Sequence, residues 1–136
     1  MDIDRFRHEH VELFAAVTVL RGLVQRGIVE NAGAIHQKLV MISALIKLHL
    51  AAEDRMLYPA LLRAADPVVT QTSERFQQEM GGLAAAYVAF AAKWSVTSRI
   101  VADPQGFRDA ANGVFKVLHE RVQRENRELY PMAERL

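Results

Sequence analysis

Apolar residues recur at intervals of three and four along almost the whole chain, which is the period of an amphipathic α-helix. No stretch alternates apolar and polar residues as a half-buried strand does. Turn-forming segments divide the pattern into four parts of similar length: RGIVENAG, YPALLRAADP and SRIVADPQG follow the first, second and third parts. The sequence therefore predicts four helices, over about residues 4–25, 32–58, 68–98 and 104–130.

The connections between the four predicted helices are short, so consecutive helices should be antiparallel neighbours. We predict an all-α fold, an up-down-up-down antiparallel four-helix bundle, in which residues 1–136 form a single domain. An irregular packing of the same helices is the alternative.

The heptapeptide EDRMLYP at residues 53–59 recurs as ENRELYP at residues 125–131, with five of seven positions identical. Proline cannot continue a helix, and it disfavours α geometry in the residue before it. Each Tyr-Pro pair is therefore predicted to end an even-numbered helix. Because those two helices should run parallel, Glu53 and Glu125 are expected at the same height, near one end of the bundle.

Five polar residues fall in line with the apolar rows of the predicted helices: His10, His49, Glu53, Arg121 and Glu125. Charged side chains are rarely buried without a compensating partner, so these residues should contact one another or a bound ion. The spacing of His49 and Glu53 places an imidazole and a carboxylate side by side on one helix face. Ligands of these two kinds suit iron, manganese or zinc.

Three segments of the chain resemble the hemerythrin family, also called the HHE cation-binding domain. HLAAEDRMLYP resembles the second-helix motif of that family, in which H-x-x-x-E precedes an aromatic residue and proline. RHEHVEL resembles its first helix, with His10 at the histidine, and RVQRENRELYP resembles its fourth helix, with Glu125 at the bridging carboxylate. The resemblance covers essentially the whole chain and implies the four-helix fold that the periodicity predicts.

In that family two irons share two bridging carboxylates, and each iron takes histidines from one pair of helices. The resemblance implies a metal site of His10, His49, Glu53 and Glu125. The expected ion is iron, with manganese or zinc as the other candidates.

The sequence departs from the family pattern at the second iron. Met80 and Arg121 stand where the third and fourth helices should offer histidine, so the resemblance implies a reduced site with one ion. Glu79 and His119 are the remaining neighbours of the vacated position, and two bound ions would require one of them or water as a ligand. Tyr58 and Tyr130 are candidates for supporting the ligands by hydrogen bonds.

The alternative is a metal-free bundle that acts as an interaction module. In it, Arg121 would pair with Glu53 and Glu125 in a closed ion-pair network, and the two inward histidines would be hydrogen-bonded core residues.

Composition and charge argue against several classes of function. The net charge is +1 with no basic stripe, so nucleic-acid binding is not expected, and no apolar run reaches the ~18 residues of a membrane span. Cysteine is absent, which excludes thiolate chemistry, and the cytoplasm is the default location. No nucleophile constellation or phosphate-binding loop assigns an enzymatic activity. We expect a monomer or homodimer that binds a small diatomic ligand such as O2 or NO, or that handles iron. The missing histidines argue against reversible O2 carriage.

Overall fold

The computed structural model describes residues 2–136, which form five helices and contain no β-strand. Four helices are long and one, α4, is a short helix in the connection before the last. Their bounds are α1, Ile3–Gln25; α2, Ala32–Arg63; α3, Pro67–Trp94; α4, Thr97–Ala102; and α5, residues 104–134.

Three of the long helices begin at an aspartate whose side chain accepts hydrogen bonds from backbone N–H groups of the first turn. Asp2 caps α1, Asp66 caps α3 and Asp103 caps α5. The end of α1 is set by Gly27, whose φ of 125° is open to glycine at little cost. The third predicted helix was drawn too long, because the chain leaves helical geometry at Ser95 and restarts as α4.

The helices form the predicted up-down-up-down bundle. Arg7 near the start of α1 pairs with Glu134 at the end of α5, at 2.5 Å, so these two termini share one end of the molecule. His10 of α1 contacts His49 of α2 close to the same end, which makes α1 and α2 antiparallel. The C-terminal parts of α2 and α5 therefore lie at the same end, as the repeated heptapeptide predicts.

The prediction that each Tyr-Pro pair ends a helix is wrong. Both α2 and α5 pass through the repeat by way of one wide turn of π-helix and then continue as α-helix. The π turns are Glu53–Leu57 and Glu125–Leu129, and the final segments are Tyr58–Arg63 and Tyr130–Glu134.

A π turn explains how proline is accommodated. Proline removes one backbone N–H and crowds the carbonyl four residues earlier. Here the N–H of Tyr58 bonds to the carbonyl of Glu53, five residues back, so the helix is wider where the ring of Pro59 follows. The same turn rotates Met56 outward to 39% exposure, although regular α periodicity predicts it on the inward face.

A layer of polar side chains separates the core into two apolar clusters. The larger cluster fills the body of the bundle, and the smaller one closes the end that holds the Tyr-Pro segments. Along α1, for example, His10 lies between Phe6 of the smaller cluster and Leu13 of the larger. The buried polar residues of this layer are those predicted to point inward: His10, His49, Glu53, Arg121 and Glu125.

By length and composition alone, α2 is apolar enough to cross a membrane, with a mean hydropathy of 1.2. One such helix is weak evidence for a membrane span, because core helices of bundles pass the same test. One row of α2, Ile35, Leu39 and Ile42, is fully buried, and the opposite side leaves Val40 and Leu48 exposed.

The cap of α5 gives a testable stability effect. Asp103→Ala removes the side-chain oxygen that accepts from the N–H of Gly106 at 3.0 Å. We expect the free energy of unfolding, measured by urea denaturation, to fall by about 1 kcal/mol. Asp109→Ala, which removes only an exposed contact with Gln105, should change it by less than about 0.5 kcal/mol. Equal losses in both variants would contradict the capping role.

Candidate metal centre

The four predicted ligands come from three helices and lie in the buried polar layer. His10 comes from α1, His49 and Glu53 from α2, and Glu125 from α5. Both carboxylates are fully buried, and the two imidazoles are nearly so. His10, His49 and Glu125 each offer one ligand atom, and these atoms lie within 4.8 Å of one another. Glu53 is not part of that group of three; it adjoins it through His49, whose Nε2 lies 3.4 Å from Glu53 Oε1.

The donor atoms are spaced like neighbours around one cation. The Nε2 atoms of His10 and His49 are 3.0 Å apart. Glu125 Oε1 lies 3.2 Å from the first nitrogen, and Glu53 Oε1 lies 3.4 Å from the second. With metal–ligand bonds of about 2.1 Å, neighbouring donors are separated by about 3.0 Å at right angles and about 3.4 Å at the tetrahedral angle.

The outer nitrogen of each imidazole is held by an oxygen. His49 Nδ1 lies 2.8 Å from the carboxylate of Glu9, and His10 Nδ1 lies 2.9 Å from the side-chain oxygen of Asn126. Both oxygens are acceptors, so each Nδ1 carries the proton and each Nε2 presents a lone pair to the centre. This is the arrangement by which proteins orient metal-binding histidines.

Glu9 was missed in the sequence, although it stands next to His10. Adjacent helical residues point about 100° apart, so periodicity gives no sign that both serve one centre. The role of Glu9 becomes visible only when α2 brings His49 beside it. Asn126 directly follows Glu125, and Asp54, its counterpart in the other heptapeptide, is exposed.

The two Tyr-Pro tyrosines are placed differently. Tyr130 is fully buried, and its hydroxyl donates to Glu53 Oε2 at 2.9 Å while lying 3.1 Å from His10 Nε2. The hydroxyl of Tyr58 is buried without a hydrogen-bond partner among residues 2–136. The predicted support of the ligands by hydrogen bonds therefore applies to Tyr130 and not to Tyr58.

The carboxylates lack the partners that buried charges require. Three of their four oxygens, both of Glu125 and Oε1 of Glu53, accept no hydrogen bond within the described chain. No Lys or Arg nitrogen of residues 2–136 lies within ion-pair distance of either group. Orphaned anionic oxygens beside two imidazole lone pairs fit a bound cation of the kind the family takes.

In the absence of a cation, the pKa values of these buried groups reflect the same lack of partners. Burial, and then the charge of Glu53, raise the pKa of Glu125 well above 4.5. Burial, and then His49, lower the pKa of His10 to about 4. For His49, burial lowers the pKa but the contacts with Glu53 and Glu9 outweigh it, so the pKa is raised. A proton on His49 therefore occupies part of the space that a metal ion would take.

Arg121 does not join the two glutamates, so the predicted ion-pair network is not formed. Its guanidinium pairs with Glu79, donates to the carbonyl of Phe76 at 2.5 Å, and stacks over the Phe76 ring at 4.2 Å. The side chain is long enough to reach the partly exposed Glu79 on α3, where Arg124 also binds at 2.8 Å. Pairing there avoids the cost of desolvating a further charge at the buried centre.

The other predicted neighbours stand around the centre rather than in it. Met80 is buried in the larger apolar cluster, and Glu79 is committed to arginines. His119 is exposed and packs its ring against Phe14, 5.0 Å away, beside a groove of about 420 Å³ between α1 and α5. His119 therefore does not replace the missing histidine of the fourth helix.

The raised pKa of Glu125 predicts how the metal-free protein responds to pH. The folded state keeps a proton that the unfolded chain releases, so the free energy of unfolding falls as pH rises from about 4.5 toward the raised pKa. The slope is at most about 1.4 kcal/mol per pH unit for one proton. In chelator-treated protein, Glu125→Gln should make this decline shallower in thermal unfolding measured from about pH 4.5 upward. Glu128→Gln, an exposed change on the same helix, should leave it unchanged; a decline identical in all three proteins would refute this assignment.

Comparison with known proteins identifies the family. The family model described as the hemerythrin HHE cation binding domain matches residues 1–133, nearly the whole chain. Searches of curated proteins and of solved structures gave no match. Domains of this family bind metal cations, often iron, and the cluster of His10, His49 and Glu125 is a group able to hold one. The resemblance expected from the repeated heptapeptide is thus confirmed, and the chain belongs to the hemerythrin HHE cation-binding domain family.

Proposed function

We propose that the protein binds a single metal ion, iron in its native form, between His10, His49, Glu53 and Glu125. One observation carries this proposal. The two Nε2 atoms face each other at 3.0 Å while both Nδ1 protons are engaged elsewhere, so two lone pairs converge on a point flanked by unpaired carboxylate oxygens. Only a proton or a cation relieves that arrangement, and a metal ion satisfies both nitrogens and a Glu125 oxygen together.

The proposal of one ion, rather than two, rests on what fills the other half of the family's site. Met80 is an apolar core residue on α3, and Arg121 of α5 brings a permanent positive charge into the polar layer. A second cation there would have no imidazole ligand from these positions and would be repelled by the guanidinium.

The metal-free interaction module loses its main support. That alternative required the charge of Arg121 to neutralise Glu53 and Glu125, and the guanidinium is bound to Glu79 instead. Without a metal, burial and the charge of Glu53 raise the pKa of Glu125 well above 4.5, and the more distant charge of Arg121 offsets this only in part.

For the function of the bound ion we propose iron handling or the sensing of a small molecule such as O2 or NO, in the cytoplasm. Bound iron supplies redox and ligand-binding chemistry. The protein's own contribution is to exclude bulk water by two apolar clusters, to orient both imidazoles through Glu9 and Asn126, and to compensate charge with two carboxylates. Four protein donors leave room for an exogenous ligand on an ion that prefers five or six.

Metal stoichiometry tests the proposal. Purified protein is loaded anaerobically with Fe(II), desalted and analysed for iron, and its melting temperature is compared with that of the chelator-treated form. We expect about one iron per chain and a higher melting temperature, since free ligand at 100 times Kd stabilises the folded state by about 2.7 kcal/mol. His49→Ala should lose the bound iron, and His36→Ala, which removes a half-buried histidine from the same helix, should retain it.

The outcomes separate the alternatives. Two irons per chain would mean that other groups complete the second site. No iron and no thermal shift with Fe(II), Mn(II) or Zn(II) would overturn the proposal in favour of a metal-free bundle.

The role of Glu9 gives a second prediction. Glu9→Gln keeps the size of the side chain but removes the negative charge that holds His49 Nδ1. We expect metal affinity to fall by about 10- to 100-fold, measured by competition with a chelator. Glu12→Gln, an exposed change one turn further along α1, is the matched control and should bind as the parent does. Equal affinity of all three proteins would show that Glu9 does not orient the ligand.

A further inference from the structure

We infer that the Tyr130 oxygen is itself a ligand of the metal ion, and that this makes the site a holder of ferric iron. The inference rests on the proposed function, since it presupposes that iron binds at His10, His49, Glu53 and Glu125. It adds a fifth protein donor that the sequence motif does not announce.

The phenol oxygen of Tyr130 lies among the other candidate ligand atoms. It lies 3.1 Å from His10 Nε2, 3.3 Å from His49 Nε2 and 2.9 Å from Glu53 Oε2. The two distances to nitrogen fall in the range of about 3.0 to 3.4 Å for neighbouring donors on a cation with 2.1 Å bonds, and the distance to Glu53 Oε2 is just below it. The oxygen therefore occupies a corner of the same coordination shell.

The single proton of the Tyr130 hydroxyl cannot satisfy all the acceptors around it. The phenol has one proton, and three acceptors lie within 3.3 Å of its oxygen. The proton satisfies one of them, the Glu53 carboxylate, and leaves two imidazole lone pairs directed at a phenol oxygen that offers only lone pairs in return. A cation bound to the oxygen and to both nitrogens removes this mismatch, and in the metal-free protein a proton shared among these atoms relieves part of it.

The Tyr130 side chain is held in place by packing. Its ring is fully buried and stacks with Phe6 and with His10, at 5.9 and 5.2 Å between ring centroids. These contacts restrict the direction of the C–O bond, so the oxygen is held beside the histidines before any ion arrives. A metal ligand requires preorganisation of this kind, whereas a tyrosine that only caps the core toward solvent does not require it.

The chemistry of the ion follows from the donor. If Tyr130 bound a trivalent ion as phenolate, its oxygen would bond the metal and its O–H proton would pass to buffer. A phenolate and two carboxylates bring three negative charges, which match Fe(III) and disfavour Fe(II). The site should therefore hold ferric iron more tightly than ferrous iron.

The chain contains a matched control in its own repeat. Tyr58 occupies the same place in EDRMLYP that Tyr130 occupies in ENRELYP, and it is also buried. Its hydroxyl has no hydrogen-bond partner within residues 2–136 and contacts neither histidine nitrogen there. Tyr58→Phe therefore removes an equivalent hydroxyl from an equivalent position without removing a donor from the centre.

The test compares the parent, Tyr130→Phe and Tyr58→Phe. Each protein is loaded anaerobically with Fe(II), oxidised with ferricyanide and desalted; iron content, the visible absorption spectrum and resonance Raman scattering are then recorded. In the parent and in Tyr58→Phe we expect a visible phenolate-to-iron charge-transfer band with phenolate ring vibrations enhanced on excitation in that band. In Tyr130→Phe we expect the band to vanish, residual iron to persist and the reduction potential to rise.

The possible failures are distinguishable. Iron bound by the parent without phenolate vibrations overturns the inference and leaves the proposed function standing, and this readout needs no variant to fold. A band that persists in Tyr130→Phe but disappears in Tyr58→Phe would show that Tyr58 is the ligand, and it would overturn the inference for Tyr130. No iron in the parent overturns the proposed function and the inference together.

Discussion

Two fully buried carboxylates, with no lysine or arginine against them in the described chain, are the constraint around which this bundle is organised. Taking both charges out of water costs several kcal/mol each unless something compensates them. The protein supplies one hydroxyl donor, to Glu53, and leaves Glu125 to a proton or a cation. In the metal-free state a proton meets that need, so metal binding and proton release are two sides of one equilibrium.

The repeated heptapeptide determines where the two carboxylates lie. Glu53 and Glu125 each stand at the first residue of a π turn, on two parallel helices, and so reach the same point from opposite sides of the layer. Each π turn makes room for the proline that follows and lets the helix continue into the apolar end cluster. That cluster seals the site from the solvent at the near end of the bundle.

Helical periodicity was enough to predict the four long helices, the antiparallel order and the burial of His10, His49 and Glu125, because each depends on which face of a helix is apolar. Periodicity was not enough where a helix departs from α geometry, or where a side chain has several partners within reach. A π turn changes the hydrogen-bond ladder without changing composition, so the predicted helix ends were wrong. The inward position of Arg121 was right, but its flexible side chain has several partners within reach, and only the packing of α3 selects Glu79.

The two tyrosines show how far a local motif determines chemistry. Tyr58 and Tyr130 share sequence context, π turn and burial, yet only one reaches the imidazoles. The difference lies in the facing helices, since α1 and α2 present histidines whereas α3 and α5 present Met80 and Arg121 in the family's other ligand positions. In the proposed single-ion site, both glutamate-bearing motifs are therefore kept while their tyrosines are unequal. A phenol oxygen already fixed beside the surviving histidines is well placed to supply an anionic donor, and such a donor favours the ferric over the ferrous ion.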